Sequence, residues 1–171
     1  MNTGTLSLDA EALYAQMLRG IAHLMQPNTQ LVGVASGGVW LAERLQVDLG
    51  RAGQCGVISS AMDRDDFSSR GMASSVQTRL PFDVNGAHVL LLDDVLFTGR
   101  TIRAALDELA DFGRPARVGL AVLVDRGGRE LPIQPDVVGK HVDVPPGGRV
   151  DVYVTELDGR DEVVLNVMEH S

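Results

Sequence analysis

The stretch VLLLDDVLFTGRT, residues Val89 to Thr101, decides the fold. Its four leading apolar residues have no polar alternation, the pattern of a strand buried on both faces of a parallel sheet. Two acids follow, and after them Thr98-Gly99-Arg100-Thr101 leads into a helical period carried by Ile102, Ala105, Leu106 and Leu109. A buried strand, a glycine-bearing turn and an amphipathic helix in that order are the unit from which doubly wound α/β sheets are built. In such sheets ligands bind outside the carboxyl ends of the strands, where Asp93, Asp94 and the turn stand.

Moving outward, residues Asp9 to Met25 repeat apolar side chains at three and four residue steps, with Ser7 or Asp9 as the cap and Pro27 as the stop, so a helix is expected there. Leu31 to Ala35 reads as a strand, Ser36-Gly37-Gly38 as a turn and Val39 to Leu49 as a helix closed by Gly50. Gln54 to Met62 is a further expected strand. The segment Asp63 to Thr78 carries charge, serine and glycine without an apolar period and reads as a long mobile loop. Val118 to Val124 is a second buried strand. Val137 to Val142, Val150 to Glu156 and Glu162 to Met168 are strand-like, the last two separated by the hairpin signal Asp158-Gly159. The expected fold is an α/β doubly wound, mainly parallel sheet with a small antiparallel C-terminal addition, forming a single domain over residues 1–171.

Composition narrows the function. The 171 residues are 44% hydrophobic and 22% charged, within the range of soluble globular proteins. No apolar run approaches the ~18 residues of a membrane span, and the first residues lack the signature of a secretory signal, so the cytoplasm is the expected location. One cysteine, Cys55, rules out an internal disulfide and a thiolate metal cluster within the chain. A net charge of -8 argues against coating nucleic acid through bulk positive charge, though it leaves room for a local basic face.

The acids and the turn suggest a chemistry. Backbone amides of Thr98, Gly99, Arg100 and Thr101 at a helix start can converge on an anion such as phosphate. Carboxylates beside a bound anion repel it unless they face hydroxyls or a cation, so Asp93 and Asp94 point to ribose hydroxyls and hydrated Mg2+. An isolated Asp-Asp pair reads more simply as a helix cap beside a solvated acid. The whole stretch, however, resembles the phosphoribosyl-pyrophosphate (PRPP) motif of type I phosphoribosyltransferases. More narrowly, DDVLFTGRTIRAALDEL, DFGRPARVGLAVLVDRGGRELPI and DVVGKHV resemble the PyrR family, which combines uracil phosphoribosyltransferase activity with RNA-binding control of pyrimidine genes.

The resemblance implies a type I phosphoribosyltransferase fold with a mobile hood over about residues 63–79. It also implies that the chain makes UMP and pyrophosphate from uracil and PRPP. Asp93 and Asp94 would take the ribose hydroxyls and, through PRPP, Mg2+. Val95, Leu96 and Phe97 would complete the motif up to the 5-phosphate loop of Thr98, Gly99, Arg100 and Thr101. Ser36, Gly37 and Gly38 would form the pyrophosphate loop. Arg64, in DRDDF, would neutralise charge on the leaving group, with Arg70 and Arg79 as weaker candidates on the same loop. Val124, Asp125 and Arg126 would read the edge of the base. The alternative is an attenuation regulator that uses the pocket only to sense UMP or PRPP. It would bind pyrimidine-operon leader RNA through Arg19, His23, Arg129 and Lys140, with Arg149 a further cation. Family members suggest a homo-oligomer, a dimer or larger. Departures from the family pattern are Asp63 and Phe97 for Tyr, Gly128 for His and Ser36 for Thr; they bear on activity and base preference. A phosphoacceptor receiver domain would also place acids at strand ends, but it would need an acceptor Asp where Ser36-Gly37-Gly38 stands.

Overall fold

The computed structural model describes residues 5–7, 9–35, 37–59, 77–144, 147–157 and 160–168. The first helix, α1 (Ala10–Leu24), begins where Asp9 accepts a hydrogen bond from the Ala12 amide at 3.1 Å and ends with Met25 donating to the Ile21 carbonyl. Its Tyr14, Met17 and Ile21 are buried, as the apolar period requires. Strand β2 (Thr29–Val34) leads through the glycine turn into α2 (Val39–Asp48), followed by β3 (Gly56–Ile58). Strand β4 (His88–Leu96), helix α3 (Arg100–Ala110), β5 (Arg117–Asp125) and β6 (Val137–His141) complete the larger sheet.

These strands form a five-stranded parallel sheet in the order β3-β2-β4-β5-β6. Alternation along β4 divides the core. Leu90 and Leu92 pack with Ala121 and Leu123 of β5 beneath α1 and α2. Val89 and Leu91 pack with Val32, Leu120 and Val122 beneath Ile102, Ala105 and Leu109 of α3. Both faces are thus covered, which explains why β4 and β5 read as continuous apolar runs. A polar network joins the two helices on one face: Arg44 pairs with Glu11 at 2.8 Å and lies over the Tyr14 ring, whose hydroxyl donates to Asp48 at 2.6 Å. Burial, and then that bond to a carboxylate, push the Tyr14 pKa far above its ordinary value.

Strands β1 (Thr5–Ser7), β7 (Arg149–Leu157) and β8 (Arg160–Met168) make a separate antiparallel sheet in the order β1-β8-β7. The antiparallel C-terminal addition is present, with a contribution from the N-terminus that no local pattern announced. Most strand boundaries move by a residue or two from the sequence expectation, and two move further. The strand expected over 54–62 covers Gly56–Ile58, with 60–62 outside the described residues. Strand β4 extends four residues beyond Leu92, because Asp93, Val95 and Leu96 remain paired with Val122, Val124 and Asp125. Among the described residues no helix is long and apolar enough to cross a membrane.

Candidate functional site

The chain runs from β2 outward to β3 on one side and, through β4, to β5 and β6 on the other, so the winding reverses between β2 and β4. The crevice at the carboxyl ends of those two strands is where such sheets hold ligands. Two glycines from one strand end and two acids from the other meet there. A Cβ on Gly37 would lie 2.4 Å from the Asp94 carboxylate, and one on Gly38 would lie 1.9 Å from the Leu92 carbonyl oxygen. Only a chain without side chains can pass so close to β4. Ser36, the first residue of this expected loop, lies outside the described residues.

Asp93 is buried, and its Oδ1 accepts from the Asp94 amide at 2.8 Å. Asp94 is half-buried, and its Oδ1 accepts from the Val95 amide at 2.7 Å. These bonds fix the carboxylates near the backbone that bears them. Val95 and Leu96 continue the strand, Leu96 buried among the α3-side core and Phe97 exposed. Gly99 then turns the chain with φ +94° and caps α3, whose first turn leaves the Thr101 and Ile102 amides without a preceding carbonyl one turn earlier. The Thr98 hydroxyl accepts from the Arg100 amide at 3.2 Å, while the Arg100 side chain turns outward to Glu130 at 2.9 Å. The result is a short amide-lined turn beside two carboxylates, an arrangement whose amides can hold an anion and whose carboxylates can accept from hydroxyls.

The third wall comes from the end of β5. Val124 is fully buried and Asp125 nearly so. The Asp125 carboxylate accepts from Arg129 at 2.6 Å and from the Gly127 amide at 2.9 Å, with the exposed His141 imidazole 3.6 Å away. Burial alone would raise its pKa, but the Arg129 and Gly127 hydrogen bonds hold it below the usual carboxylate value. Arg129 also donates to the Phe97 and Ile133 carbonyls at 2.9 and 2.8 Å, so one guanidinium fastens the end of β5 and its own loop to the turn after β4. Arg126 bonds through its amide to the Leu96 carbonyl, and its guanidinium lies over the Phe97 ring.

The residues anticipated from sequence are therefore assembled unevenly. Gly37, Gly38, Asp93, Asp94, Thr98 to Thr101 and Val124 to Arg126 share the carboxyl edge of the sheet. Arg64 and Arg70 lie outside the described residues, as does most of the anticipated hood; Arg79 bridges back to Val57 by paired backbone bonds of 2.8 Å. The four cations anticipated for RNA do not form one patch. Arg19 and His23 line a groove with Asp136, Val137 and Val138 at the start of β6, whereas Lys140 stands near its other end and Arg129 is turned inward on Asp125. Sequence reading missed the clasp by Arg129 and the stack of Arg126 on Phe97. The spacing of Asp125 and Arg129 was the available signal, but it acquires meaning only once the intervening loop is folded.

Comparison with known proteins agrees with this fold and gives the family. The family model described as "Phosphoribosyl transferase domain" matches residues 8–147. A protein named "Bifunctional protein PyrR" from Nitrosococcus oceani is 48% identical over 169 residues, 95% of this chain and 93% of that protein. Another of that name, from Desulfosudis oleivorans, is 45% identical over 177 residues, 97% of this chain and 98% of that protein. Among solved structures, a hypoxanthine phosphoribosyltransferase from Trypanosoma cruzi superposes with a TM-score of 0.66 at 18% identity, covering 98% of this chain and 96% of that one. A hypoxanthine-guanine phosphoribosyltransferase from Bacillus anthracis gives 0.65 at 15% identity, over 98% and 99%.

Proposed function

This chain belongs to the phosphoribosyltransferase family and, within it, to the PyrR family, and on that premise we propose that it transfers the phosphoribosyl group of PRPP to uracil, giving UMP and pyrophosphate. The observation that carries the reading is the contact of Gly37 with the Asp94 carboxylate beside the amide-lined start of α3. It brings a phosphate cup, a hydroxyl-binding acid pair and a second anion-accommodating turn into one crevice.

In this reading the 5-phosphate lies against the 98–101 turn, where the amides and the α3 dipole favour negative charge. Asp93 and Asp94 accept from the ribose hydroxyls and fix the sugar. The glycine turn after β2 holds the pyrophosphate, and Arg64 offsets its charge. As the C1′–oxygen bond to pyrophosphate breaks, positive charge develops on the ribose ring, and the fixed carboxylates stand where they stabilise it. Uracil N1 then bonds to C1′ as its proton passes to a departing pyrophosphate oxygen, with the backbone of Val124 to Arg126 holding the base in line. Most of the acceleration comes from positioning and electrostatics.

The donor set also suits Mg2+. Among the described residues no group of three or more His, Cys, Asp or Glu could cage a metal, but two carboxylates suit an ion that keeps water and takes substrate oxygens as its other ligands. Bound with PRPP, the ion would neutralise charge on the departing pyrophosphate.

The test is UMP formation from uracil, PRPP and Mg2+ by the purified protein, beside Asp93→Asn with Asp94→Asn, and with cytosine, hypoxanthine and orotate as competing bases. We expect UMP as the main product and its loss by about a hundredfold or more in the double variant. PRPP binding unchanged in that variant would displace the ribose site from these acids.

A second reading, favoured by the groove of Arg19 and His23 and by the neighbouring His88 and Arg117 at the opposite edge of the sheet, is leader-RNA binding with the pocket as a nucleotide sensor. RNA retention that weakens steeply with salt, and weakens further in Arg19→Ala, would support it. No retention at low salt would end it.

A further inference from the structure

Base recognition through backbone groups leaves unused the two side chains at the mouth of the site. Leu96 and Asp125 are register partners, so Phe97 and Arg126 leave adjacent strand ends side by side. The Arg126 guanidinium lies 3.8 Å from the centre of the Phe97 ring, a cation–π stack. One of its Nη groups donates to the Gly148 carbonyl at 2.9 Å, while Nε is buried without a hydrogen-bond partner. The guanidinium is thus held under the ring and anchored at Gly148. Removal from water also lowers the pKa of this guanidinium.

Gly128 permits the stack. A Cβ there would lie 2.5 Å from Cε1 and 2.9 Å from Cδ1 of Phe97, and the backbone sits at φ +76°. Any side chain at 128 would drive the ring off its place. Phe97 is nonetheless 45% exposed as a residue, unusual for a large apolar group engaged on one face. It stands one residue before Thr98 and three after Asp94. A nucleotide held by its phosphate and ribose in that turn carries its base past this ring.

We propose that the Phe97–Arg126 stack, made room for by Gly128, is the specificity-determining shelf for the base. A flat heteroaromatic ring lies on the open face of Phe97, while Arg126, stacked on the opposite face and anchored at the Gly148 carbonyl, holds the Phe97 ring in place. The class so selected is a planar nucleobase, held by its face rather than by its edge. This deepens the phosphoribosyl-transfer reading and rests on it for the placement of the sugar, but it gives Phe97 a role distinct from the phosphate turn to which its neighbours belong.

The experiment compares UMP with ribose 5-phosphate by calorimetry in the wild type and in Phe97→Leu, Phe97→Tyr and Arg126→Lys. Ribose 5-phosphate reports the sugar and phosphate contacts and whether the variant is folded; the ratio of the two affinities isolates the base. Loss of a stacking partner costs a base about five- to a hundredfold in affinity. The UMP to ribose 5-phosphate ratio should therefore fall about tenfold or more in Phe97→Leu, return to within about twofold in Phe97→Tyr, and fall in Arg126→Lys, which keeps the charge and loses the planar fork. A ratio unchanged in Phe97→Leu, or equal losses of both ligands in every variant, would overturn the shelf. Because binding is read without turnover, failure of the wild type to make UMP would count against phosphoribosyl transfer to uracil and not against this inference.

Discussion

A carboxylate taken out of water has to be matched, and Asp125 is matched by Arg129 at 2.6 Å and by the Gly127 amide at 2.9 Å. The arginine in turn ties Phe97 and Ile133, so the pair fixes the wall of the crevice as well as its own charges. Arg129→Met would leave that carboxylate buried and uncompensated, and about 3 kcal/mol of stability should be lost. The pH dependence has a definite sign. The folded-state pKa of Asp125 is lowered from 3.8, so its contribution is complete above that value and lost as pH falls through the lower folded value. The difference in unfolding free energy between wild type and Asp125→Asn should be constant from about pH 7 to 5 and shrink below about pH 4. Urea unfolding across that range measures it; a difference that persists undiminished at the acid end would mean that Asp125 is not the titrating group. At this scale the local geometry of Asp93, Asp94 and the 98–101 turn was legible because the bonds from the Asp94 amide to Asp93, from the Val95 amide to Asp94 and from the Arg100 amide to Thr98 run between sequence neighbours. Arg129 was not, since its pairing depends on two successive positive-φ glycines, Gly127 and Gly128, that fold the loop back onto the strand end.

Elements were readable where a local period settles them and less so where pairing does. The helix expected over Asp9 to Met25 is present as Ala10–Leu24 with those two residues as its caps. The extent of β4 was underestimated because Asp93 to Leu96 looks like a polar exit from the sheet, yet the β5 ladder holds it extended to Leu96. Glycine at the close approach of the β2–α2 turn to β4 is required by sterics. In Gly38→Ala the new methyl would meet the Leu92 carbonyl at 1.9 Å, a backbone atom that cannot move aside without disturbing the central strand. Gly50 has open space within 4 Å of the equivalent atom, although its positive φ still strains a substitution. We expect Gly38→Ala to cost about 3 kcal/mol and Gly50→Ala about 1 kcal/mol, read from denaturant midpoints. Equal costs at the two positions would show that backbone conformation, rather than the approach to β4, sets the penalty.

The molecule combines two sheets that differ in how their strands are found from sequence. In the parallel sheet each central strand is an apolar run that identifies itself, and Leu90 to Leu92 of β4 are almost wholly buried under helices on both faces. In the antiparallel sheet β7 and β8 are joined by a turn signal, but β1 is three residues long and pairs with Asn166 to Met168, at the far end of the chain. Nothing within Thr5 to Ser7 encodes a partner some 160 residues away, which is why the strand was not anticipated. The same contrast governs local stability. Amides of β4 and β5 open only when the core on both faces is breached, so their exchange should track global unfolding. The β1 ladder rests on three register pairs and closes a loop spanning nearly the whole chain, so it should open at far lower cost. Hydrogen exchange should therefore rank β4 and β5 slowest and β1 fastest. Within β8, residues 166–168 are flanked by both β1 and β7, and opening β1 would uncover one side of them while the β7–β8 ladder persists. The amides there that face β1 should exchange on the β1 timescale, and those that face β7 more slowly. If both sets exchange together with β4, the two sheets unfold as one unit and the terminal strand is an integral part of the core.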